Sequence, residues 1–185
     1  MQTFLISALT VALAEIGDKT QLLALILAAK YRKPWPIALG ILAATLINHA
    51  LAGSVGMLVA NWFSPETLKW MVAVSFIAIA LWTLKPDTAD EDEASRGKNH
   101  GAFIATTISF FLAEMGDKTQ IATAVIAAEY HPLWQVIAGT TFGMLVADLP
   151  VVWLGARFAH RLPLRAIRYV TALLFIALGV WILLR

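Results

Sequence analysis

Two stretches of the chain carry the residues that could do chemistry, and they are copies of one another. Ala14-Glu15-Ile16-Gly17-Asp18-Lys19-Thr20-Gln21 returns as Ala113-Glu114-Met115-Gly116-Asp117-Lys118-Thr119-Gln120. Each copy lies in the middle of a long apolar run, Phe4 to Leu13 and Leu22 to Ala29 around the first, Phe103 to Leu112 and Ile121 to Ala128 around the second. Ionisable groups at that depth of a membrane segment cost about 2.5–3.5 kcal/mol each on insertion scales, so they mark a functional site. The plainer reading is a set of Glu–Lys salt bridges that only glue helices. Six buried charges are a costly glue where apolar packing would serve.

On a continuous helix Glu15 and Asp18 are three apart and Glu15 and Lys19 four apart, so they share a face, as do Glu114, Asp117 and Lys118. Bringing two such helices together gathers four carboxylates, Glu15, Asp18, Glu114 and Asp117. Thr20, Gln21, Thr119 and Gln120 add neutral oxygens. An oxygen-rich, sulfur-free set suits hard divalent ions such as Ca²⁺, Mg²⁺ and Mn²⁺. Gly17 and Gly116 permit either close helix approach or a local break in the helix. Lys19 and Lys118 can hold the carboxylates' place when no metal is bound. Four acids and two lysines leave two negative charges, which one divalent cation neutralises. Asp148, a mid-membrane carboxylate, adds a third, and protonation of one carboxylate would remove it. Asn48 and His49 lie near the middle of another apolar run. His49 suits a metal ligand, a proton carrier or a hydrogen-bonded packing residue. Asp148 suits the site or a proton relay.

The elements that must position these residues follow from composition. Of 185 residues 59% are hydrophobic and 14% charged, against roughly half and a quarter in a soluble domain. The charges collect between apolar runs of about 20 residues, the length that spans a bilayer. The expected fold class is therefore an all-α integral membrane protein with six transmembrane helices, near 3–29, 35–62, 66–84, 101–128, 133–159 and 164–184. Ser64 or Pro65 can start the third, and Pro150 lies inside the fifth. There are no cysteines, so disulfides, thiolate metal sites and cysteine nucleophiles are excluded. Met1-Gln2-Thr3 lacks the basic start of a signal peptide, and Glu15 and Asp18 interrupt its would-be apolar core.

The halves repeat. A shift of 99 residues carries Glu15 onto Glu114 and, without a gap, Tyr31 onto Tyr130, Gly40 onto Gly139, His49 onto Asp148, Gly56 onto Gly155 and Phe76-Ile77-Ala78 onto Phe175-Ile176-Ala177. With three helices each, the halves enter the membrane from opposite faces, giving inverted-topology three-helix repeats over 1–86 and 100–185, joined by a charged linker at 87–99. Many secondary transporters share this plan, with the site near the midplane. Lys30, Arg32 and Lys33, then Lys85, Arg96 and Lys98, then Arg157, Arg161, Arg165 and Arg168 follow helices one, three and five. Lys69 and Arg185 alone mark the other side. The positive-inside rule puts those three loops, including 85–100, in the cytoplasm and both termini outside. The acidic part of the linker reads as solvated.

These residues resemble a known family of cation exchangers, defined by paired E-x-G-D-[KR]-[TS] motifs in the first helix of each three-helix half. Both motifs match every fixed position, and the similarity covers the whole chain. The family includes a Golgi manganese/calcium–proton exchanger, chloroplast manganese transporters and bacterial manganese exporters. The resemblance implies transport of Mn²⁺ or Ca²⁺ against protons, with Glu15, Asp18, Glu114 and Asp117 in the ion path. It also implies a bacterial inner-membrane exporter of Mn²⁺. Substrates are then a divalent metal ion and protons, the partner is the lipid bilayer, and neither nucleic acid nor a cofactor is expected. The family motif does not extend to His49 or Asp148. A Ca²⁺/H⁺ exchanger is the nearest alternative. A divalent-cation channel fits less well, because closely packed acids bind too tightly for conduction. A membrane phosphatase would need arginines beside the acids, and the sequence places none in mid-membrane.

Overall fold

The computed structural model describes residues 1–85, 101–154 and 163–184. The acidic linker, Arg96, Lys98, Gly155, Arg157, Arg161 and Arg185 lie outside them. Every regular element among the described residues is an α-helix: α1 (Gln2–Glu15), α2 (Lys19–Tyr31), α3 (Pro34–Ala60), α4 (Pro65–Thr83), α5 (Ala102–Glu114), α6 (Lys118–Glu129), α7 (Leu133–Leu154) and α8 (Leu164–Leu184). Four of them, α3, α4, α7 and α8, are long and apolar enough to cross a membrane. Ser64 caps α4 by accepting the Thr67 N–H at 3.3 Å, with Pro65 in the first turn. The α7 helix runs through Pro150.

The expected first and fourth helices are not continuous. Each is interrupted at its motif, giving the α1–α2 and α5–α6 pairs, whose members are 12 to 14 residues long. Gly17 and Gly116 are the cause. Their φ angles are +82° and +75°, a region that costs an L-residue with a Cβ about 1–2 kcal/mol. The three- and four-residue spacing from Glu15 to Asp18 and Lys19 therefore does not define a helix face, because the helix ends at Glu15 and a new one starts at Lys19.

The molecule is inside-out by the standards of a soluble protein. Leu9, Leu39, Leu51, Val74, Leu81 and Leu173 are exposed, whereas Glu15, Asp18, Thr45, Asn48, His49 and Asp148 are buried. That distribution suits a chain solvated by lipid. Two apolar clusters hold the helices. One gathers Val72, Phe76, Ile126, Phe175 and Ile182, the other Leu23, Leu27, Ile41, Phe110 and Val152. Phe76 and Phe175, equivalent under the 99-residue shift, stack with ring centroids 6.0 Å apart.

Packing respects the repeat. The α1 helix packs on α7 as α5 packs on α3, α6 packs on α3 as α2 packs on α7, and α1 meets α6 as α2 meets α5. Gly40 and Gly139 make matching close approaches: a Cβ on Gly40 would lie 2.7 Å from Thr106 Cβ of α5, and one on Gly139 2.5 Å from the Phe4 carbonyl of α1. One pair departs from the rule. The α4 and α8 helices pack on each other, α4 also on α6 and α8 also on α1. Among the described residues no comparable contact joins α4 to α5 or α8 to α2.

Candidate cation site

The interruption in each motif is a built structure. The Asp18 N–H donates to the Glu15 carbonyl and the Asp117 N–H to the Glu114 carbonyl, both at 3.0 Å. Asp18 and Asp117 then cap the following helices, Asp18 Oδ1 accepting the Lys19 N–H at 2.7 Å and Asp117 Oδ2 the Thr119 N–H at 3.4 Å. Acidic N-caps are favoured because their oxygens satisfy the free N–H groups of the first turn. The glycine N–H groups are taken by the glutamines, Gly17 by Gln21 Oε1 at 3.0 Å and Gly116 by Gln120 Oε1 at 2.7 Å. Each glutamine spends its amide N–H on the opposite repeat: Gln21 donates to the Ala147 carbonyl at 2.9 Å and Gln120 to Asn48 Oδ1 at 3.5 Å. Ala147 and Asn48 are equivalent under the shift. Gln21 and Gln120 thus bind each interruption to the long helix of the other half.

The four motif carboxylates are buried, with exposures from 0% at Glu15 to 5% at Asp117. Glu15 lies within electrostatic range of Asp18, Asp117, Glu114 and Asp148. The structure thus brings together the acids of both motifs and Asp148. The lysines cross between the motifs. Lys118 Nζ lies 3.1 Å from Asp18 Oδ2, and Lys19 Nζ lies 3.6 Å from Asp117 Oδ1. The first pair is buried, while the Lys19 side chain is 22% exposed. The acids are near one another without converging: among the described residues no three His, Asp or Glu side chains are placed to hold a metal ion as they stand.

The two glutamates are held differently. Glu114 Oε1 accepts the Thr45 hydroxyl at 3.2 Å, and Oε2 accepts the Asn48 amide at 3.4 Å, with His49 Nε2 at 3.9 Å. Glu15 Oε2 accepts the Thr119 hydroxyl at 2.9 Å. Among the described residues Glu15 Oε1, Thr20 Oγ1, both His49 nitrogens and both Asp148 oxygens are buried without a hydrogen-bond partner. Buried polar atoms are normally satisfied, and these belong to the motifs and to polar residues of the long helices α3 and α7. Thr45 went unread in the sequence, although its position three and four residues before Asn48 and His49 puts it on their face of α3. Arg168, counted in the sequence with the loop charges, lines one small cavity with Asp18, Lys118 and Thr83. Arg168 of α8 therefore borders the first motif rather than a loop alone.

The chain is similar to known proteins along nearly its whole length. A protein of Vibrio cholerae that carries the provisional name manganese exporter is 53% identical over 180 residues, covering 97% of this chain and 89% of its own. GDT1-like protein 5 of Arabidopsis thaliana is 28% identical over 222 residues, covering 100% and 96%. A GDT1-like protein of Synechocystis is 26% identical over 197 residues, covering 95% and 93%. No solved structure matches the chain. The family described as "Divalent cation/proton antiporter GDT1" matches residues 3–91 and 102–185. That family is one of membrane transporters and not of enzymes, and with nearly every residue inside the match the chain belongs to the GDT1 family of divalent cation/proton antiporters.

Proposed function

We propose that the protein exports Mn²⁺ from the cytoplasm in exchange for protons, across the bacterial inner membrane. In this reading the α1–α2 and α5–α6 pairs each make one crossing, and with α3, α4, α7 and α8 the chain has six, arranged as inverted three-helix repeats over 1–86 and 100–185. Both termini are outside and loop 85–100 is cytoplasmic. The observation that carries the reading is the burial of Glu15, Asp18, Glu114 and Asp117 at two facing helix interruptions, one from each half. Interrupted helices meeting at the midplane are how secondary transporters build ion sites.

Lys19 and Lys118 face Asp117 and Asp18 and offset part of the charge, so the site carboxylates Glu15, Asp18, Glu114 and Asp117 keep a net negative charge that a divalent ion matches. Thr20 and Thr119 supply neutral oxygens, and Asn48, His49 and Asp148 line the ion path. When the metal leaves, protons replace its charge. Mn²⁺ is favoured over Ca²⁺ because His49 stands 3.9 Å from Glu114, and Mn²⁺ accepts a nitrogen ligand more readily than Ca²⁺, which prefers six to eight oxygens. The provisional name of the Vibrio cholerae relative points the same way.

The test is Mn²⁺ and Ca²⁺ flux in proteoliposomes under an imposed pH gradient. Gradient-driven Mn²⁺ movement that survives excess Ca²⁺ and is lost in Glu15→Gln and Glu114→Gln is the expected result. Ca²⁺ moving as well or better would make the protein a calcium exchanger. Flux indifferent to the gradient would make it a channel.

A further inference from the structure

The two crossed lysine–aspartate pairs do more than tie the motifs together. Each aspartate divides its oxygens in the same way. Asp18 gives Oδ1 to the N–H at the start of α2 and Oδ2 to the ammonium of Lys118. Asp117 gives Oδ2 to the start of α6 and Oδ1 to the ammonium of Lys19. One oxygen builds the helix, and the other faces a cation carried by the opposite motif. An ammonium has three donors and no lone pair, so neither lysine can be a metal ligand. A divalent ion and an ammonium at contact distance of one oxygen repel strongly in so dry a site.

We infer that Lys19 and Lys118 are tethered stand-ins for the transported cation, and that a divalent ion gains Asp117 and Asp18 only by displacing them. The inference rests on the transporter reading above and adds to it a competition between the cargo and the protein's own cations. It accounts for acids that are gathered yet do not converge on a point. It also links binding to movement. Each pair spans the two motifs, so a metal that takes the aspartates unfastens the start of α2 and the start of α6 from the opposite motif. The pairs are unequal. Asp18–Lys118 is buried beside Thr83 of α4 and Arg168 of α8, whereas Lys19 is partly exposed. The Lys19–Asp117 pair is therefore the one a cation meets first.

The experiment is a binding isotherm for Mn²⁺ alone, read by electron paramagnetic resonance on the purified full-length chain in detergent at one fixed pH. Removing an ammonium leaves a buried aspartate with one cation fewer beside it, and the arriving metal makes up that charge. Lys19→Gln and Lys118→Gln should each bind Mn²⁺ about tenfold more tightly or better. In proteoliposomes the same variants should exchange more slowly, since no ammonium is then at hand to take the aspartate from the departing metal. Thermal melting checks that each variant is folded. Lys19→Gln, at the more exposed pair, tolerates the loss better, and Asp18→Asn/Lys118→Gln restores a neutral pair should Lys118→Gln fold poorly. The double variant should lose the gain in affinity. Folded single variants that bind Mn²⁺ no more tightly than wild type would overturn the inference while leaving the transporter reading intact. A wild-type chain that binds no Mn²⁺ would overturn both.

Discussion

Thr119 of the second motif donates its hydroxyl to Glu15 of the first at 2.9 Å, and the reciprocal threonine makes no such bond. Thr20 Oγ1 is buried without a hydrogen-bond partner among the described residues, and Glu114 is served by Thr45 and Asn48. The repeats are alike in sequence and unequal in chemistry. Losing the donor should leave Glu15 under-bonded at a cost of about 1–3 kcal/mol. Removing a hydroxyl that bonds nothing should cost little. Thr119→Val is thus expected to lower the melting temperature clearly, and Thr20→Val to leave it nearly unchanged. Equal shifts in thermal melts of the detergent-solubilised protein would contradict this assignment.

Gly116 separates backbone from packing. A Cβ there would meet nothing within 4 Å, yet its φ is +75°. Gly116→Ala should therefore destabilise by about 1–2 kcal/mol through the backbone alone. Gly116→Asn should be milder, because asparagine tolerates the left-handed region. If the two cost the same, steric fit rather than φ governs the position.

The glutamine latch predicts a local effect. Gln21 accepts from the Gly17 N–H and donates to the Ala147 carbonyl. Gln21→Met keeps the bulk and loses both bonds. Amide hydrogen exchange at Gly17 should accelerate, with the interior of α3 unaffected. Uniform acceleration would mean that the glutamine supports the whole fold rather than the interruption.

Asp148 should show opposite signs for stability and transport. Its carboxylate is fully buried, both oxygens lack a hydrogen-bond partner among the described residues, and Glu114 and Asp18 lie within electrostatic range. Asp148→Asn replaces a buried carboxyl group beside two other acids with a neutral amide of nearly the same size. It should stabilise the protein by about 1 kcal/mol, or roughly 2–4 °C, while Mn²⁺ exchange falls. Loss of both stability and transport would show a structural partner for Asp148 instead.

The paired motifs were legible in the sequence because charges are costly in apolar runs, so Glu15, Asp18, Glu114 and Asp117 stand out wherever they are met. The 99-residue repeat was legible for the same reason that Gly40 and Gly139 match: equal packing demands equal residues. Gly17 and Gly116 left two outcomes open, since glycine permits both close helix packing and positive φ, and spacing alone cannot choose. Lipid-facing Leu, Ile and Val read the same on every helix, so composition established the membrane class but not which helices adjoin.

What only the tertiary structure decided is what crosses between the halves. Sequence spacing relates Lys118 to Glu114 along one helix. The fold instead breaks that helix and sends Lys118 to Asp18, because the interruption turns each aspartate into a cap and aims its second oxygen at the opposite motif. The asymmetry has the same origin. A repeated sequence allows α4 and α8 to cover either end of the site, and their packing on α6 and α1 rather than α2 and α5 is something the repeat itself does not specify.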